Sequence, residues 1–258
     1  MIMLLFFGMA RVIGVFSGKG GVGKTTTTVN LGATLSYEFN QNVTVVDTNT
    51  SSSCLALHLG LHFSPLTINS ALKGESDVED IIEIHGSNMK VIPASLRLSD
   101  SFIDHSRLPQ IIEQISKISD IILLDTAPSI GAETIWSLKC CDEAIIVTNP
   151  DLPSVIEALK MIKLSREYDV HVLGVVVNKY SKNNSLSLSE IYKICNVPII
   201  SLIPEDKNVP KSISAKIPIT HYKPFSKSSI AFKKLAADLI NAEYKQDLFS
   251  AIRSKLGF

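Results

Sequence analysis

Across 258 residues the chain carries one tryptophan, four cysteines and no excess of either charge, with 25 Lys+Arg against 25 Asp+Glu. A general nucleic-acid binder usually shows a basic excess, so the balance argues against that class unless charge is segregated on one face. Cys54, Cys140, Cys141 and Cys195 form no C-x-x-C pair. That removes support for a disulfide scaffold, structural zinc and thioredoxin-type chemistry. His58 and His62 stand four apart, but no glutamate follows His58, so the H-E-x-x-H metal motif is missing too. Long hydrophobic runs are also absent. The most apolar stretch, Met1–Gly8, falls far short of the roughly 20 residues that span a bilayer. It has neither a basic flank nor a small-residue cleavage site, so residues 1–10 read as an extension rather than a signal peptide. Apolar residues nonetheless make up 45% of the chain and charged ones 19%, which excludes disorder and leaves material for a large core.

Short apolar runs alternate with helical patterns from residue 11 to about 241. Arg11–Phe16, Asn42–Asp47, Met89–Pro93, Asp120–Asp125, Glu143–Thr148, Val170–Asn178 and Val197–Ile203 read as strands. Most are continuously apolar, as parallel strands covered on both faces must be. The intervening segments, among them Thr25–Phe39, Arg107–Ser119, Pro153–Tyr168 and Ser185–Cys195, are long enough for crossover helices. The pattern predicts one α/β domain built on a doubly wound, mostly parallel sheet. Ligands of such sheets bind beyond the carboxyl ends of the strands. Those ends here are Ser17, Asp47, Asp125, Asn178 and Pro204.

The first strand runs into Ser17-Gly-Lys-Gly-Gly-Val-Gly-Lys-Thr-Thr26, in which Gly18, Gly23, Lys24 and Thr25 satisfy G-x-x-x-x-G-K-[ST]. Glycines let successive backbone N–H groups point inward at phosphate oxygens, and the helix that follows adds the positive end of its dipole. Lys24 can reach the β- and γ-phosphates, and Thr25 can offer its hydroxyl to Mg²⁺. The loop Gly18–Thr26, with Gly20, Gly21 and Val22 inside it, is therefore the expected ATP/ADP site.

Lys19, directly after Gly18, exceeds what a phosphate loop requires. The run Lys19–Thr26 resembles the deviant Walker A ATPases, and within them the MinD/ParA family. The later segments Asp125–Gly131, Asp142–Pro150, Val177–Lys179 and Ile203–Asp206 are similar to the MinD branch. The resemblance covers about residues 11–240. It implies an ATP-dependent homodimer in which Lys19 reaches phosphates held by the other subunit. It also implies Asp47 and Asp125 near Mg²⁺, reaching it through water, and Asn178 and Pro204 beside the base. The family's D-x-D is here Asp47-Thr48-Asn49. An amide cannot act as a base, so hydrolysis is expected to be slow unless Thr48, Thr50 or Ser51 positions the water instead.

In the last residues, Leu248, Phe249, Ile252 and Leu256 fall within a sector about 100° wide at helical spacing. Residues 242–258 are accordingly expected to be an amphipathic tail that touches an anionic membrane surface, as in MinD proteins. The resemblance implies a cytoplasmic, reversibly membrane-bound protein that positions cell-division or polar machinery, with a regulatory protein partner. Two alternatives remain open at this level. A ParA-type partition ATPase would bind DNA, against which the neutral charge and the tail both count. An iron–sulfur carrier of the same superfamily would need paired cysteines, and Cys140-Cys141 are adjacent in an expected helix.

Overall fold

A computed structural model describes residues 10–100 and 103–244. In chain order they form β1 (Arg11–Phe16), α1 (Lys24–Tyr37), β2 (Val43–Asp47), α2 (Leu55–Leu59) and α3 (Ile68–Lys73). Then come β3 (Glu83–Ile84), β4 (Lys90–Ile92), α4 (Leu108–Ser116), β5 (Ile121–Asp125), α5 (Ala132–Leu138) and β6 (Glu143–Thr148). The series closes with α6 (Leu152–Glu167), β7 (His171–Tyr180), α7 (Leu188–Cys195), β8 (Ile199–Pro204), α8 (Asn208–Ser214), α9 (Ile219–Tyr222) and α10 (Lys227–Leu239). The strands make one sheet in the order β3-β4-β2-β5-β1-β6-β7-β8, parallel except for β3. β1 lies between β5 and β6, so the chain reverses its direction of winding there and opens a crevice at the end of β1.

Burial on both faces explains the unbroken apolar runs. Val12, Ile122 and Leu124 pack with Ile112 and Ile115 of α4 on one face. Their neighbours Ile13, Val15 and Leu123 pack with Leu31 and Leu35 of α1 and with Phe232 and Leu235 of α10 on the other. A third cluster joins Phe16, Ile146 and Val175 to Met161 of α6 and Ile191 of α7. α1 is buried over nearly its whole length. Its Gly32 lies flat on β2, where an added Cβ would come within 2.6 Å of Val45.

Strand and helix positions follow the sequence reading with local shifts. α7 starts at Leu188 because Ser187 and Glu190 form a capping box. β3 is a two-residue antiparallel edge strand with no sequence signature. Cys140 and Cys141 lie beyond the end of α5, in the turn that leads to β6, and not in a helix; that helix ends because Lys139 caps it after seven residues.

The end of α10 is fixed at the amino ends of the strands, opposite the crevice. The Arg11 guanidinium, at the start of β1, pairs with Glu143 and donates to the carbonyl of Leu239. Lys233 forms an ion pair with Glu38, just beyond α1. Leu248, Phe249, Ile252 and Leu256, the expected membrane residues, lie outside the described residues. Among those described, no helix is long and apolar enough to cross a membrane.

Candidate nucleotide site

The crevice holds a cavity of about 520 Å³ lined by the loop from Lys19 to Thr26 and, across from it, by Asn49, Asn178, Lys179 and Pro204. Backbone geometry explains the glycines. Gly21 (φ +77°) and Gly23 (φ +97°) are left-handed. A Cβ on Gly23 would also stand 2.0 Å from Nδ2 of Asn178. At Gly18 a Cβ would lie 2.4 Å from the carbonyl oxygen of Glu157 on α6. The loop thus brings bare backbone against its surroundings.

Lys24 and Thr25 open α1, and β5 delivers Asp125 to them. The buried Lys24 ammonium lies 3.4 Å from Asp125 Oδ1 and donates to the carbonyl of Thr126. Thr25 Oγ1 donates to Asp125 Oδ2 at 2.7 Å, and Thr28 Oγ1 reaches Oδ1 at 3.3 Å. Asp47 sits beside Asp125 at the end of the adjacent strand, in register with it. Its carboxylate accepts from Ser53 Oγ at 2.6 Å and Asn49 N at 3.1 Å. Burial, and secondly the charge of Asp125, push its pKa up to about 7, although Ser53, Asn49 and Lys24 oppose the shift. Two buried carboxylates and a threonine hydroxyl against one ammonium leave a net-negative cluster of hard oxygen donors. That donor set fits Mg²⁺.

Asn49 is buried and faces the cavity. Its Nδ2 donates to the carbonyl of Ser52 at 2.6 Å, while its buried Oδ1 has no hydrogen-bond partner among the described residues. Thr48, Thr50 and Ser51 point their hydroxyls elsewhere. Thr48 donates to the carbonyl of Asp125 at 3.2 Å, and Thr50 and Ser51 donate to Glu133 at 2.7 and 3.0 Å. None of the three lines the cavity, whereas Asn49 and Ser52 of this loop do.

Lys19 stands exposed on the rim, with no ion pair or side-chain hydrogen bond among the described residues. Asn178 donates to the carbonyl of Val22 at 2.7 Å, and Lys179 donates to that of Gly21 at 2.8 Å, so the end of β7 closes over the loop. Pro204 lines the far wall beside Val209, Pro210 and Ile213 of α8. Sequence reasoning missed Ser53 and Thr28; Cys54, just before α2, and His58, within it, also face the cavity. Burial, and secondarily nearby acids, raises the Cys54 thiol, and burial lowers the His58 imidazole. Neither is therefore poised as a charged group. Burial also pushes Cys140 up to about 12 and Cys141 higher still, the opposite of what a thiolate ligand needs. Among the described residues no cluster of three His, Cys, Asp or Glu groups forms a metal site.

Residues 13–219 match the family described as the CobQ/CobB/MinD/ParA nucleotide binding domain. The chain belongs to this family. Its relatives in the CobQ/CobB/MinD/ParA family include an uncharacterized ATP-binding protein of Methanocaldococcus jannaschii, 33% identical over 93% of this chain and 91% of that protein. The cell division ATPase MinD of Pyrococcus furiosus superposes with a TM-score of 0.86 at 31% identity, over 90% of this chain and 99% of that one. The septum site-determining protein MinD of Pyrococcus horikoshii, solved with Mg-ADP, gives 0.85 at 29% identity over 96% and 100%. The doubly wound, mostly parallel sheet is the fold of these proteins, with Lys24 and Thr25 opening α1 from a glycine-rich loop.

Proposed function

We propose that the chain is a MinD-like ATPase that binds Mg²⁺-ATP, closes into a homodimer over two nucleotides and binds a membrane reversibly while dimeric. The observation that carries this reading is the division of labour between the two lysines. Lys24 is enclosed against Asp125 and Thr126, whereas Lys19 stands free on the rim of the same loop. An enclosed lysine serves phosphates within its own subunit. A rim lysine gains a partner when a second subunit presents its phosphates.

Within one subunit, the loop N–H groups and Lys24 would bind the phosphates, with Asn178 and Pro204 beside the base. Mg²⁺ would be held by Thr25, with Asp47 and Asp125 acting on its waters, and would neutralise charge on the phosphate oxygens. Asn49 Oδ1 would accept a hydrogen bond from the attacking water without taking its proton, which supports slow turnover. Hydrolysis would separate the subunits and release the membrane, as befits a protein that positions cell-division or polar machinery with a regulatory partner.

Charge is segregated in a way that supports an anionic target. Residues 179–234 contain ten lysines and three acidic residues, although the chain as a whole is neutral. The same segment leaves DNA as the second reading. Cosedimentation with anionic liposomes and with DNA, each with and without ATP, separates the two. The expected outcome is ATP-dependent liposome binding that is lost on deleting residues 248–258 while ATP binding is kept. Liposome binding that survives this deletion would sink the tail anchor, and ATP-dependent pelleting with DNA alone would favour partition.

A further inference from the structure

The loop that carries Asn49 is held from outside the nucleotide cavity by one carboxylate. Glu133, in the first turn of α5, accepts from Thr50 Oγ1 at 2.7 Å, from Ser51 N at 2.8 Å and from Ser51 Oγ at 3.0 Å. Its side chain is 15% exposed. His105 Nε2 lies 2.8 Å from the same hydroxyl and 3.9 Å from the Glu133 carboxylate. Thr50 has one proton and gives it to Glu133, so Nε2 of His105 is the donor in its pair. The three groups form a directional chain from imidazole to hydroxyl to carboxylate. One turn further along α5, Ser137 Oγ donates to Thr48 Oγ1 at 2.8 Å. Two side chains of α5 therefore grip the segment on either side of Asn49.

That grip bears on the cavity. With Thr48 and Thr50 held, Asn49 is fixed between them, its Nδ2 on the carbonyl of Ser52 and its Oδ1 buried without a hydrogen-bond partner among the described residues. We infer that Glu133 is a positioning residue for hydrolysis: by holding Thr50 and Ser51 it sets the direction of the Asn49 oxygen and the seat of Asp47 without touching nucleotide. α5 begins just after the Asp125–Gly131 segment that bounds the phosphate loop, so the same carboxylate ties the two loops that flank the phosphates. This inference rests on the reading that the cavity binds ATP.

The test measures single-turnover ATP hydrolysis and, separately, affinity for a fluorescent ATP analogue in wild type, Glu133→Ala, Thr50→Val and Thr50→Ser. Small displacements of a positioned group can cost up to about 100-fold in rate. Glu133→Ala and Thr50→Val should accordingly hydrolyse ~10–100-fold more slowly than wild type with affinity within about twofold, since the grip lies outside the phosphate contacts. Thr50→Ser, which keeps the hydroxyl, should turn over like wild type. A merely structural role would lower affinity and rate together. An unchanged rate in Glu133→Ala overturns the inference, as does equal loss of rate and affinity. A wild-type chain that binds the analogue but gives no turnover overturns it too and leaves the binding reading standing. A wild-type chain that does not bind the analogue removes the reading itself.

Discussion

Lys24 and Lys19 are five residues apart and differ in what surrounds them. Removing the enclosed Lys24 ammonium leaves Asp125 and Asp47 with no cation to balance them, in addition to stripping charge from the phosphates. Lys24→Ala should therefore abolish tight ATP binding, measured by equilibrium fluorescence titration. Lys19→Ala should bind ATP normally and fail to dimerise with it on size-exclusion chromatography; normal dimerisation would exclude a role across subunits. At Asn49, restoring a carboxylate tests whether the amide limits turnover. General-base contributions are typically about 10²–10⁴-fold, so Asn49→Asp should raise steady-state ATPase activity within that range, and an unchanged or lower rate would show that it does not. A third residue reports on pH. Burial holds the His105 imidazole below its ordinary range, with Glu133, Asp104 and the carbonyl side of Ile103 opposing the shift. The unfolded chain takes up a proton near pH 6.5 that the folded chain refuses, so stability falls as pH drops below that value. The slope from this group is at most about 1.4 kcal/mol per pH unit. Urea midpoints at pH 7.5 and 5.5 should separate more in wild type than in His105→Gln.

Elements whose residues announce themselves over short spans were legible in the sequence. β1, β5 and β6 read as apolar runs because both faces of the sheet are covered, and α1 was placed by the loop that starts it. β3 was not legible, being two residues held by pairing with β4 rather than by pattern. The phosphate loop, Asp47 and Asp125 were found because motif and strand ends coincide. The Glu133 contacts were not, because they join residues 82 and 83 positions apart, and no local spacing encodes them. The packing of α1 on β2 is a similar long-range demand, met by Gly32. A helix glycine normally costs about 1 kcal/mol relative to alanine. Here the absent side chain lets the helix approach Val45 and Met89, where a Cβ would stand 2.6 and 3.1 Å away. Gly32→Val should lower stability by about 1–3 kcal/mol through overpacking, read as a lower urea midpoint with an unchanged slope.

Considered whole, the molecule keeps its phosphate loop at the carboxyl end of β1 and the end of α10 at the amino end, where Arg11 holds the Leu239 carbonyl. The six residues of β1 separate those ends by roughly 20 Å at about 3.3 Å per residue. Entry of a nucleotide and departure of the chain beyond Tyr244 are thus isolated by the thickness of the protein. A reporter dye attached at position 244 should consequently stay dark to nucleotide entering a single subunit. Energy transfer between two such dyes would register only the meeting of two subunits, which makes this exit point a counter of pairs and not a sensor of ligand.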